Sequence, residues 1–152
     1  MRPAGLEEVY REEGDGLWRA VLAFAGDPEV ASDAVAEAFA QALRRGEAIR
    51  DPKRWVWRAA FRIAAGDLAA RRRTVDAPAE RALGMEEEVV ELIETLKRLP
   101  MKQRAAVVLH HGAGYPTREV AAIIGSTSAA VRVHLSRGRR RLRELLKEDD
   151  DD

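Results

Sequence analysis

The sequence contains no cysteine, which excludes a disulfide scaffold, a thiol nucleophile and a thiolate zinc site. Aromatic residues are scarce at 5%, yet the 46% hydrophobic share is that of a globular protein and rules out wholesale disorder. No apolar run approaches the ~18 residues a membrane span needs. Met1 to Tyr10 holds no apolar stretch ahead of a small-residue cleavage site, so no signal peptide is expected. No segment alternates as a half-buried strand must. His110 and His111 are adjacent and diverge by about 100° on a helix, His134 lies in another helix, and no metal-ligand spacing results. No serine triad or glycine-rich phosphate loop is present either. These absences lead to the expectation of a soluble, cytoplasmic, all-α protein that is not an enzyme and uses no metal or cofactor.

What is present is charge, and it is segregated. The 26 basic and 26 acidic residues cancel over the whole chain. Residues 1–51 nevertheless sum to −5, residues 52–73 to +6 and residues 74–95 to −6. Residues 96–147 sum to +10 and the last five, Glu148 to Asp152, to −5. Two basic blocks separated by an acidic one predict two polyanion-facing surfaces that a pI near 6.9 conceals.

Helical periodicity runs through the whole chain. Leu17, Val21, Leu22 and Phe24 form one apolar stripe; Val35, Ala38, Phe39, Ala42 and Leu43 form a second. Asp27-Pro28 and Asp51-Pro52 each set a capping carboxylate before a proline at the first helical position. A third helix is predicted from about Pro52 to Arg73, with Trp55, Ala59, Ala60, Ile63 and Leu68 inward. Residues 74–87 read as a linker, after which Val89, Leu92, Ile93, Leu96 and Leu99 resume the pattern until Pro100 breaks it. Two small helical domains follow, residues 1–73 and 88–147, with an acidic tail at 148–152.

The second domain carries a helix-turn-helix. A short helix capped by Thr117 is predicted to bury Val120, Ala121 and Ile124, and Gly125 supplies the left-handed turn. Ser126, Thr127 or Ser128 can cap the next helix, which turns Val131, Leu135 and Leu142 inward. Ser128, Arg132, Val133, Ser136 and Arg137 then point away from the buried stripe, and Arg139, Arg140, Arg141 and Arg143 extend the basic surface.

Leu99-Pro100-x-x-Gln103-Arg104, Val107-Val108-Leu109, Glu119-Val120-Ala121 and the run from Gly125 to Leu142 together resemble region 4 of bacterial sigma factors. The likeness is greatest to the extracytoplasmic-function group of the sigma-70 family. That resemblance implies a domain that binds the promoter −35 element and docks on the flap of the polymerase β subunit. It places His110, Arg118, Ser128, Arg132, Val133, Ser136, Arg137 and Arg140 at the duplex.

The first half is similar to region 2 of the same family. Asp33-Ala34-Val35-Ala36-Glu37-Ala38-Phe39 resembles the helix that docks on the β′ clamp helices, which implies a docking role for Asp33, Ala36 and Glu37. Trp55-Val56-Trp57-Arg58 with Arg71-Arg72-Arg73 resembles the basic, aromatic helix that engages the −10 element. Capture of a melted strand needs cations and aromatic faces together, which Arg54, Trp57, Arg58 and Arg62 would supply. Trp55 reads as core; Trp57 and Phe61 fit core or stacking platform equally well. The resemblance implies core RNA polymerase, promoter DNA and an anti-sigma factor as partners, and no membrane. A stand-alone helix-turn-helix regulator is the alternative, and a protein-interaction module that does not read DNA is a second.

Overall fold

A computed structural model of the chain describes residues 3–71 and 85–151, and among these every regular element is helical. The chain divides into two compact units, Met1–Leu83 and Gly84–Asp152. Residues 74–84 of the expected linker, and Arg72 and Arg73 of the expected third helix, lie outside the described residues.

Unit 1 consists of α1 (Pro3–Ala25), α2 (Pro28–Arg45), a 3₁₀ turn (Gly46–Ala48) and α3 (Pro52–Arg71), and its three long helices all pack on one another. The seam is rich in alanine: Ala31, Ala34, Ala38, Ala42, Ala60 and Ala64 are fully buried. Such small side chains let the helix axes come close, and Leu17, Val21, Phe24 and Val56 fill the space between them. Asp27 begins α2 as expected, its Oδ1 accepting from the Glu29 N–H at 2.9 Å. Its Oδ2 accepts from Arg71 Nη1 at 2.9 Å, so a carboxylate only 7% exposed ties the start of α2 to the end of α3. Asp51 Oδ1 likewise accepts from the Arg54 N–H at 3.1 Å.

Two stripes differ from the sequence reading. Leu43 is 61% exposed, because it stands about 100° round the helix from Ala42, the last buried residue of α2. In α3 the buried set is Val56, Trp57, Ala59, Ala60, Phe61 and Ala64, while Trp55, Ile63 and Leu68 are half-buried. The inward face is thus turned by about one residue from the expected one.

Unit 2 consists of α4 (Glu87–Lys97), α5 (Met101–Val107) running on into a π-helical turn (Val108–Gly112), α6 (Thr117–Ile124) and α7 (Ser128–Asp151). Ile93, Leu96 and Leu99 anchor the α4 segment, but Val89 and Leu92 are 37% and 56% exposed, contrary to expectation. Leu109, Val120, Val131, Leu135 and Leu145 form the centre of this core. Leu145, rather than the half-buried Leu142, is the C-terminal anchor of α7. In α6 it is Ile123 that is buried and Ile124 that is half-exposed. Pro116, not Thr117, occupies the N-cap of α6, with no side-chain cap. The acidic run continues α7 as helix to Asp151, and Glu148 pairs with Arg98 at 3.5 Å.

Candidate nucleic-acid interface

The turn between α6 and α7 is built from three local choices. Gly125 takes the left-handed conformation, φ 69° and ψ 47°, which a β-carbon would strain. The Ser126 N–H then returns to the Ala121 carbonyl at 2.8 Å. Of the three candidate caps it is Thr127 that acts, its Oγ1 accepting from the Ala130 N–H at 3.1 Å. Val131 and Leu135 pin α7 inward, and the opposite face is thereby set outward.

On that outward face Arg132, Val133, Ser136, Arg137 and Arg140 are exposed; Ser128 is half-buried, and Arg118 is exposed on α6. Arg132, Arg137 and Arg140 form no ion pair among the described residues, whereas Arg141 leans 3.4 Å from Glu144. Val133 is 46% exposed within this cationic strip. His110 is half-buried and its Nδ1 donates to the Tyr115 carbonyl at 2.8 Å, so that ring braces the turn that precedes α6. His134 faces partly inward; burial, and then Lys102 and Arg137, hold its pKa below the ordinary 6.5.

In unit 1, Arg54, Arg58 and Arg62 stand one above another at four-residue spacing on the exposed side of α3. Trp57, expected beside them, is not on that face. It is 4% exposed, stacks on Phe61 with ring centroids 6.2 Å apart, and donates its indole N–H to Glu13 Oε1 at 3.0 Å. With both ring and N–H engaged in the core, Trp57 offers no free face to a base. Trp55, read as core, is half-buried instead, with the Arg45 guanidinium 5.7 Å from its ring centre. Asp33, Ala36 and Glu37 are all exposed on α2. Glu37 Oε1 accepts from Gln41 at 3.1 Å and Arg44 at 3.0 Å, and these hydrogen bonds lower its pKa. The Glu13–Trp57 bond joins residues 44 apart in sequence and left no local signal.

Residues 90–142 match the family described as Sigma-70, region 4. The RNA polymerase sigma-E factor of Streptomyces coelicolor is 30% identical over 153 residues, covering 92% of this chain and 85% of its own length. The chain belongs to the RNA polymerase sigma factors of the extracytoplasmic-function group. The fold of this sigma factor is shared with the sigma factor RpoE of Bartonella quintana, solved with the anti-sigma factor NepR. That likeness has a TM-score of 0.79 at 20% identity and spans 93% of this chain and 96% of the other. The extracytoplasmic function sigma factor SigJ of Mycobacterium tuberculosis gives a TM-score of 0.65 at 25% identity, over 93% of this chain and 53% of its own. Among the described residues of this sigma factor, no helix is long and apolar enough to cross a membrane.

Proposed function

We propose that this sigma factor directs core RNA polymerase to promoters by reading duplex with α7 and melted strand with α3. The observation that carries the reading is the outward face of α7, where Arg132, Arg137 and Arg140 carry no carboxylate partner among the described residues. Cations left unneutralised on a helix that follows a tight turn are suited to the major groove and its phosphates. Arg132 is placed for bidentate contact with guanine, and Val133 for apolar contact with a thymine methyl. On α3, Arg54, Arg58 and Arg62 follow the backbone of the −10 strand, and Trp55 takes over the stacking role that the burial of Trp57 precludes. Asp33, Ala36 and Glu37 form the polymerase-docking face. The protein works in the cytoplasm with the polymerase, catalyses no reaction itself, and is held in check by an anti-sigma factor.

The test is run-off transcription with core polymerase over genomic fragments. Discrete transcripts that require the chain are the expected result; their absence, with core binding intact, would remove the reading. Asp33→Lys with Glu37→Lys should abolish co-migration with core polymerase. It should leave the melting temperature nearly unchanged, because exposed charges contribute little to folding.

A further inference from the structure

The π-helical turn Val108–Gly112 gives its two neighbouring histidines different partners. Ala113 N–H closes the turn onto the Val108 carbonyl at 3.0 Å, and Tyr115 N–H onto the Leu109 carbonyl at 3.0 Å. His110 is spent on that closure. His111, its ring edge-on to His110 at 4.8 Å, instead has its Nε2 3.3 Å from Nη1 of Arg139 on α7. A guanidinium can only donate, so His111 is the acceptor: a neutral ring with its proton on Nδ1. Burial, then the charges of His110 and Arg139, keep its pKa below 6.5, which favours that neutral form.

We infer that His111 is a positioning residue for duplex binding, holding the Arg139 guanidinium at the flank of α7 so that its remaining N–H groups meet a backbone phosphate. The inference rests on the duplex-reading role of α7. Arg139 is seven residues beyond Arg132, two turns along the same row of the helix, so it continues that flank away from the base-reading end. Among the described residues no carboxylate draws it aside: Glu144 engages Arg141, and Glu148 engages Arg98. An unrestrained arginine has many rotamers, and part of that freedom is lost on gripping a phosphate. A hydrogen bond from the preceding turn removes some of that freedom before DNA arrives, and it leaves the charge intact.

The experiment measures binding of the full chain to a short labelled duplex of mixed sequence, at about pH 8 where histidine is neutral, over a range of salt concentrations. Arg139→Ala should weaken binding about threefold and reduce the salt slope by about one. His111→Ala removes no charge under these conditions, yet it should weaken binding and lower the slope in the same direction. The double variant should be no weaker than Arg139→Ala alone. His111→Gln, which keeps an acceptor near the position of Nε2, should restore both readings. Wild-type affinity and slope in His111→Ala, or additive losses in the double variant, would overturn the role of His111 and leave duplex reading intact. Binding by the wild-type chain that does not respond to salt would overturn both.

Discussion

Trp57 on α3 and Glu13 on α1 are joined by a hydrogen bond of 3.0 Å from the indole N–H to Oε1. The bond decides which tryptophan of the Trp55-Val56-Trp57 run belongs to the core. Glu13→Ala takes that acceptor from a buried donor and should cost about 1–2 kcal/mol. Glu13→Gln keeps an acceptor oxygen and should lose less than half as much. Urea denaturation of the two variants measures both; an unshifted midpoint for Glu13→Ala would mean that the bond contributes nothing.

Glycines in two helices should respond in opposite directions. A β-carbon on Gly16 of α1 meets nothing within 4 Å, so Gly16→Ala should stabilise by about 0.5–1 kcal/mol through helix propensity. A β-carbon on Gly138 of α7 would lie 2.9 Å from Val107 Cγ2, a short, branched and buried side chain that cannot swing aside. Gly138→Leu should therefore cost about 1–3 kcal/mol by overpacking. Thermal melts of the two variants should move apart, and a shift of the same sign in both would contradict the packing described.

If α7 reads duplex as proposed, its two kinds of arginine should separate by sequence dependence. Arg132→Ala should cost about 1–3 kcal/mol on a matched −35 duplex and relax the preference there. Arg140→Ala should weaken matched and scrambled duplexes about equally and flatten the salt slope. Identical behaviour of the two variants would show that α7 enters the groove on a different face.

Stability should fall with mild acidification. The lowered pKa of His134 means that the folded chain holds fewer protons than the unfolded one between that value and 6.5. Stability therefore rises with pH across this interval, and the penalty is absent above about pH 7.5. The melting temperature should drop as pH is lowered through 6.5, and His134→Gln should flatten the drop. His111 acts with the same sign. A midpoint that climbs on acidification over this range would contradict the assignment.

Local chemistry was legible in the sequence because its causes are local. Asp27 before Pro28, Gly125 after Ile124 and Thr127 before α7 each act on neighbours within a few residues, and each behaves as the sequence suggests. The outward arginines of α7 followed from the same helical period. What could not be read was the rotation of α3, because Trp55 and Trp57 are both large and apolar and only a partner on α1 distinguishes them. The outward turn of Val89 and Leu92 was hidden for a similar reason: a run of apolar residues does not say how narrow a stripe its neighbours will accept. The link from His111 to Arg139 joins residues 28 apart, and no spacing rule reaches that far.

The close meeting of Gly138 and Val107 acts as a detent on α7. To slide one turn along α5, α7 would have to carry His134 or Leu142, which share the row of Gly138 and each have a β-carbon, into a gap that admits only a hydrogen atom. Such a slip of one turn is about 5.4 Å, more than the rise of one base pair. A notch of this kind fixes where Arg132 stands along α7 relative to the rest of its unit. On the proposed reading, the residue that sets the register of α7 on DNA is one that never touches it and has no side chain at all.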